Sequence, residues 1–149
     1  MKIRLSVSDE SYEEVRKFLE EHGIETDDES EFLLTQESRF PGHITVRDDK
    51  GTKVVISVED IVTIASYGHS IEVSTADNGY KTSEPLYQLI NMLDPEKFLR
   101  VSNSVIIRAD RIRQIFPTFH MKFILKMANG EKVDVTRNYY SKFKKFFGI

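Results

Sequence analysis

From His43 to Thr136 the chain is a series of short segments in which apolar and polar residues alternate. Successive side chains of a β-strand point to opposite faces, so a period of two predicts strands. Eight such segments occur: HITVRD, KVVISV, DIVTIAS, HSIEVST, SVIIRAD, RIRQIF, MKFILKM and EKVDVT. Turn sequences typical of β-hairpins separate several of them: Asp49-Lys50-Gly51, Asp77-Asn78-Gly79 and Asn129-Gly130. The pattern predicts a mostly β chain of the α+β class.

Two short helices are predicted among these strands. The first has a cap at Thr82 or Ser83, Pro85 in its first turn, and a stop at Asp94-Pro95. The second is the C-terminal NYYSKFKKFF, where aromatic residues recur at helical spacing with lysines between them. We expect its aromatic residues to pack on the sheet of their own domain and its lysines to face solvent.

The first 40 residues form a separate pattern. KIRLSVS predicts a strand, and from Ser8 or Asp9 a helical stripe runs to Gly23; Phe32 to Leu34 can return as a second strand. A strand-helix-strand piece of this size cannot form its own core, so it is expected to pack as a small cap. We place the boundary in ESRFPG, Glu37 to Gly42, which separates an acidic N-terminal region, 1–40, from a second domain, 43–149.

Length and composition narrow the class of protein. A chain of 149 residues fits one domain with a small appendage, and no apolar run approaches the roughly 18 residues that a spanning helix needs. The start, Met-Lys-Ile, does not resemble a secretory signal, and the absence of cysteine fits a reducing compartment. We therefore expect a cytoplasmic protein.

The chain carries no recognisable catalytic or metal motif. Its four histidines are scattered, and it has no HExxH pair, no glycine-rich phosphate loop and no GxSxG elbow. We expect no enzyme, and hence no catalytic residue, metal, cofactor or small-molecule substrate.

Charge is distributed unevenly along the chain. Residues 1–40 hold 5 Lys/Arg against 12 Asp/Glu, a net charge of −7, whereas residues 98–149 hold 11 against 3, a net of +8. Within the basic part, FLRVSNSVIIRADRIRQI carries four arginines: Arg100, Arg108, Arg111 and Arg113. They could solvate the polar face of a half-buried strand, meet an acidic protein partner, or bind phosphates. Because one sign persists to Arg137, a nucleic acid is the leading partner.

Several segments together resemble the LytTR-type DNA-binding domain of bacterial response regulators, over roughly residues 43–149. The most specific is FLRVSNSVII; the others are EDIVTIAS, the histidine of SYGHS, the helix PLYQLINMLDPEKFLRV, the hairpin with NGEKVDVTR, and the basic C-terminal helix. The resemblance implies an elongated set of antiparallel β-sheets in which loops, and not a recognition helix, read DNA.

The resemblance also implies which residues contact DNA. His69 and Arg137 would reach successive major grooves, and Asn103 would lie at the minor groove between them. Arginine can bind guanine with two hydrogen bonds, which contribute about 1–3 kcal/mol of discrimination. Five further residues are predicted to contact phosphate: Arg100, Ser104, Lys122, Asn138 and Lys142. Where the family often has histidine, this chain has Ser102.

Each of these three residues also has an ordinary structural interpretation. Asn103 could cap a turn or adopt a left-handed backbone, Arg137 could pair with Asp134, and His69 could be a plain turn residue. Their joint occurrence at the family's spacing favours the functional interpretation.

The resemblance implies three kinds of partner. They are double-stranded DNA at promoter direct repeats, a second copy of the chain in a homodimer, and a regulatory membrane protein. Forty residues are too few for the receiver domain that family members commonly carry, so the resemblance implies a bacterial transcription regulator without one. The acidic N-terminal region could dimerise, bind a regulator or shield the basic surface.

Overall fold

The computed structural model describes residues 1–36 and 40–149. It divides into two compact units, Met1–Arg39 and Phe40–Ile149. The first three residues of the predicted boundary segment, Glu37 to Gly42, lie outside the described residues. Across the described residues, the longest helices are too short or too polar to cross a membrane.

The first unit is a small parallel sheet with one helix. Strand β1 (Lys2–Ser6) lies between β2 (Glu25–Thr26) and β3 (Leu33–Thr35) and runs parallel to both. Helix α1 (Asp9–Glu21) follows β1. The strand-helix-strand order is as predicted, with β2 as an additional short strand.

The second unit contains a seven-stranded antiparallel sheet. Its order is β5-β4-β8-β7-β6-β10-β9. The strands are β4 (His43–Arg47), β5 (Lys53–Ser57), β6 (Thr63–Tyr67), β7 (Ser70–Ser74), β8 (Gly79–Thr82), β9 (Phe98–Ser102) and β10 (Val105–Arg108).

A three-stranded antiparallel sheet, two α-helices and two short 3-10 helices, Val58–Asp60 and Ala109–Arg111, belong to the described part of this unit. The sheet consists of β11 (Ile112–Pro117), β12 (Phe123–Met127) and β13 (Lys132–Val135). Helix α2 (Leu86–Met92) packs on β6, β9 and β10, and α3 (Arg137–Phe147) packs on β9 and β13. The predicted mostly β class with antiparallel sheets is confirmed.

Strands β9 and β10 are buried on both faces. Phe98 and Ile106 belong to the apolar cluster under α2, whereas Leu99 and Ile107 belong to a second cluster with β12, β13 and α3. Ile106 and Ile107 are adjacent in sequence, and both are fully buried. The alternative of a half-buried strand with a polar face is therefore wrong for β9 and β10, because strands covered on both sides are apolar at successive positions.

Two of the four arginines in this segment stabilise the fold. The Arg108 side chain is 8% exposed; it pairs with Asp110 at 2.7 Å and donates to the Val58 carbonyl at 3.1 Å. Hydrogen bonding from Arg108 lowers the pKa of the Asp110 carboxyl. Arg111 donates to the Glu59 carbonyl at 2.7 Å. The interpretation that these arginines bind phosphates is wrong for Arg108, because its guanidinium is enclosed by protein.

Helix α2 is shorter than predicted. Thr82 still pairs with Ile71 in the sheet, and its hydroxyl accepts from the Glu84 amide at 3.2 Å. Because this turn intervenes, the helix begins at Leu86, after Pro85, and not at a Thr82 or Ser83 cap. The end of the segment that resembled a family helix, 98–101, is strand β9.

Candidate nucleic-acid interface

Asn103 lies at the tip of the β9–β10 hairpin. Val105 pairs with Ser102, whereas the next residue, Ile106, pairs with Arg100, so the register shifts by a β-bulge beside the turn. A bulge of this kind redirects the side chains next to it. Asn103 and Ser104 form the exposed turn, and Ser102 is buried beneath it at 7% exposure.

Hydrogen bonds from Arg100 hold the backbone of this turn. Its Nη2 donates to the Asn103 carbonyl at 2.6 Å, and its Nε donates to the Ser102 carbonyl at 3.2 Å. The Ser104 amide donates to the Ser102 hydroxyl at 3.2 Å. Arg100 therefore stabilises the turn, and its contact with phosphate stays a prediction.

The side chain of Asn103 is fixed by a residue of α3. The Tyr139 hydroxyl donates to Asn103 Oδ1 at 3.0 Å. The alternative that Asn103 adopts a left-handed backbone is wrong, because Met121 is the only non-glycine residue with positive φ in the described part of the chain. The amide nitrogen, Nδ2, has no hydrogen-bond acceptor among the described residues.

His69 lies in the two-residue turn between β6 and β7. Tyr67 pairs with Ser70, and Gly68 has a φ of 62°. A positive φ at the first central residue is a common requirement of two-residue hairpins, and glycine meets it without strain. His69, the second central residue, is exposed.

Arg137 and Asn138 are the first two residues of α3, after the N-cap Thr136, and both are exposed. Lys142 is exposed four residues after Asn138, so the two share one face of the helix. Within residues 1–36 and 40–149 Arg137 has no ion pair, and its predicted alternative pairing with Asp134 does not occur.

Two surface grooves bring the predicted residues together. One, the Arg137 groove, is lined by Asn103, Ser104, Lys122, Arg137 and Asn138, among others. The other, the His69 groove, is lined by His69, Arg100 and Asn103, among others. Asn103 belongs to both, so seven of the eight predicted residues line two grooves that share this residue. Lys142 lines neither groove.

The grooves also contain residues that the sequence did not single out. Tyr67 and Lys132 are exposed and line the Arg137 groove, and Tyr87 is exposed in the His69 groove. Lys132 was counted only as part of the basic stretch. Tyr67 is the last residue of β6, and Tyr87 is the second residue of α2. At such positions the sequence pattern does not distinguish a buried ring from an exposed one.

In the described part of the chain, no group of three or more His, Cys, Asp or Glu side chains is placed to hold a metal ion. Besides the carboxylates of Glu131 and Asp134, which line the Arg137 groove, the grooves carry basic, amide and hydroxyl groups. Such groups suit contacts with phosphates and base edges.

Several curated bacterial proteins are similar to this chain. It is 33% identical over 96 residues to the sensory transduction protein LytT of Bacillus anthracis and 29% identical over 96 residues to that of Bacillus subtilis strain 168. It is 26% identical over 95 residues to the transcriptional regulatory protein LytR of Staphylococcus aureus strain N315. Each match covers 64% of this chain and 39% or 40% of the relative, so the chain spans well under half of those proteins.

A solved structure shows the same fold. It is the LytTr DNA-binding domain of a methyl-accepting/DNA response regulator from Bacillus cereus, with a TM-score of 0.69 and 24% identity. The similarity covers 73% of this chain and 99% of that domain. The family model of the LytTr DNA-binding domain matches residues 51–148, more than half of the chain. This protein therefore belongs to the LytTr DNA-binding domain family.

Proposed function

We propose that this protein binds duplex DNA sequence-specifically through the side chains of its connecting turns, and that it acts as a transcription regulator in the bacterial cytoplasm. Membership of a family of DNA-binding domains supports the first part, and the name of the Staphylococcus aureus relative supports the second. The structural observation that carries the proposal is that His69, Asn103 and Arg137 are exposed along two grooves that share Asn103.

Each of the three residues has a separate role in the proposal. Arg137, without an ion pair among the described residues, offers a free guanidinium that can bind guanine O6 and N7 together. His69 offers a ring that can donate to or accept from a base edge. Asn103, between them, offers its amide.

Phosphate contacts would fix the register of the protein on the duplex without reading sequence. We assign them to Lys122, Ser104 and Asn138 in the Arg137 groove, to Arg100 in the His69 groove, and to Lys142 on the same helical face as Asn138. Arg100 would do this with the guanidinium N–H groups that the turn does not use.

One domain of this size offers a small interface with DNA, so two copies on direct repeats would give the affinity a regulator needs. We propose repeats about one helical turn apart, or a multiple of it. Analytical ultracentrifugation of the complex would show two chains per duplex, and one chain would dismiss the dimer. A regulatory membrane protein is a further proposed partner; a pull-down with and without residues 1–40 would test whether the acidic region recruits it.

Fluorescence anisotropy titration tests the main proposal. A preferred duplex is first selected from a randomised library with the full chain. Arg137→Ala is expected to weaken binding to that duplex by roughly 5- to 150-fold, because a two-bond contact with guanine contributes about 1–3 kcal/mol. Arg113→Ala removes the same charge from an exposed residue outside both grooves and is the matched control.

The control variant is expected to lower affinity only slightly and to keep sequence preference. Affinity of the unmodified chain should also fall steeply with added salt, because phosphate contacts release counterions. Binding that ignored both salt and the Arg137 change would contradict the proposal. Tight binding to an acidic protein without sequence-selective DNA binding would favour a protein-interaction module instead.

A further inference from the structure

We propose that Tyr139 is a positioning residue that makes Asn103 a hydrogen-bond donor toward DNA, an inference that rests on the proposed function. The contact that carries it is the bond from the Tyr139 hydroxyl to Asn103 Oδ1, at 3.0 Å. It joins α3 to the β9–β10 turn, across 36 residues of sequence.

The ring of Tyr139 is anchored at one end. It is half-buried and packs against the apolar cluster that contains Val101, Phe123 and Phe143. A tyrosine with an apolar body and a polar tip can direct its hydroxyl from a fixed position. The hydroxyl therefore reaches the exposed turn from a ring that the core holds in place.

Both oxygen atoms of Asn103 already accept a hydrogen bond. Oδ1 accepts from Tyr139, and the backbone carbonyl accepts from Arg100 at 2.6 Å. The amide nitrogen Nδ2 has no acceptor within the described part of the chain. An asparagine amide carries two N–H donors on this atom. The Asn103 side chain therefore keeps both of its N–H donors for a ligand, while its oxygen already accepts from Tyr139.

This polarity has a consequence for specificity. An amide that is free to rotate by half a turn can present either its oxygen or its nitrogen. It can therefore bind base edges that carry donors as well as those that carry acceptors. With Oδ1 held by Tyr139, Asn103 selects acceptor atoms on the bases and disfavours exposed base amino groups. Tyr139 thus contributes to specificity without contacting DNA itself.

The test compares Tyr139→Phe with Asn103→Ala and with a matched control, Tyr140→Phe. Tyr140 is the neighbouring residue of α3, is also half-buried, and stacks its ring on Phe123 with centroids 4.9 Å apart. Both Tyr→Phe changes remove one hydroxyl and keep the ring. Affinity is measured for the duplex that the unmodified chain selects and for every single base-pair change in it.

We expect Asn103→Ala to lose discrimination at one position of the duplex. Tyr139→Phe should lose discrimination at that same position by roughly 2- to 10-fold, the range of a single net hydrogen bond. Discrimination elsewhere and the dependence of affinity on salt should not change. Tyr140→Phe should behave as the unmodified chain.

A second measurement needs no DNA. The side-chain amide resonances of Asn103 in a ¹H–¹⁵N spectrum should move in Tyr139→Phe and stay in place in Tyr140→Phe. Unmoved resonances in Tyr139→Phe would overturn the inference.

Other outcomes also separate the two proposals. Unchanged discrimination in Tyr139→Phe, or a uniform loss at all positions in that variant, would overturn the inference alone. Unchanged discrimination in Asn103→Ala would overturn the inference together with the base contact proposed for Asn103. If the unmodified chain selected no sequence from the library, the proposed function would fail, and this inference would fail with it.

Discussion

At the scale of single residues, side chains of one type serve different purposes in one short segment. Four arginines lie between Phe98 and Ile115. The guanidinium of Arg100 donates to two backbone carbonyls of the β9–β10 turn, Arg108 is enclosed beside Asp110, and Arg113 is exposed. The sequence shows only that all are basic. The role of each arginine depends on how far its side chain is buried, because an enclosed guanidinium needs several hydrogen-bond partners and an exposed one can bond water.

The enclosed arginine should contribute to stability. Arg108→Ala removes the hydrogen bond to the Val58 carbonyl, the pair with Asp110, and the contact over the Phe98 ring, whose centroid lies 5.5 Å away. We expect the free energy of unfolding to fall by about 2–3 kcal/mol, since the Val58 carbonyl loses its charged donor and keeps only the weaker bond from the Ile61 amide at 3.3 Å, and a gap is left. Urea denaturation would measure it.

Arg113→Ala is the control for this change, because the same side chain is removed from an exposed position. Its free energy of unfolding should stay within about 0.5 kcal/mol of the unmodified chain. Equal losses in the two variants would mean that enclosure of Arg108 does not stabilise the fold.

At the scale of elements, periodicity predicted most strands and the C-terminal helix but not how many faces each one buries. The NYYSKFKKFF pattern correctly indicated α3, and Phe143 is its fully buried residue. The segment that resembled a family helix, 85–101, included most of strand β9. The residues of β9 are buried on both faces, so they lack the alternation of apolar and polar residues that marks a strand. Two-sided burial depends on α2 on one side and on α3 on the other, and α3 is distant in sequence from both strands.

The candidate site was predictable only in part, because the sequence marks its turns but not the contacts between residues that are distant along the chain. His69 and Asn103 lie in turns that local sequence marks, and Arg137 follows a predicted strand. The bond between Tyr139 and Asn103 was not predictable, because it joins positions 36 residues apart that meet only when α3 packs on β9. Spacing along the chain carries no signal for such a contact.

The docking of α3 should depend on Phe143. Its ring lies against Phe123 and Phe147, with centroids 5.1 Å and 4.8 Å away. Phe143→Ala should lower the free energy of unfolding by about 3–5 kcal/mol, because a fully buried ring leaves a cavity. Arg137 and Asn138 begin this helix, so DNA affinity should fall as well.

Thermal unfolding and anisotropy titration would measure both effects. Phe119→Ala is the control, because Phe119 is fully exposed and its loss should change stability by no more than about 0.5 kcal/mol. Wild-type DNA affinity in a folded Phe143→Ala variant would show that the position of α3 does not matter for binding.

At the scale of the whole molecule, the chain joins units of opposite charge. Residues 1–40 carry a net charge of −7 and residues 41–149 a net of +4. Both apolar clusters of the second unit consist of residues between Ile44 and Phe147. Because every described member of those clusters belongs to the second unit, this unit should fold by itself, and the domain division stays a prediction until a truncated chain is tested.

A chain reduced to residues 40–149 should unfold cooperatively and bind the selected duplex. Its affinity at about 0.05 M salt should exceed that of the full chain, because the acidic residues repel the phosphates. Since charges are screened over about 10 Å at 0.1 M salt, the difference should shrink at about 0.2 M. Circular dichroism and anisotropy titration at both salt concentrations would measure these outcomes.

The electrostatic cause can be separated from the loss of the unit itself by neutralising exposed acidic residues in the full chain. The triple change Asp28→Asn, Glu29→Gln and Glu31→Gln removes three charges, and because all three side chains are exposed, the fold of the first unit should be retained. Their affinity should lie between those of the full and truncated chains at low salt. If the truncated chain bound DNA more weakly than the full chain, residues 1–40 would instead contribute to the interface, and if the triple variant matched the full chain, charge would not be the cause.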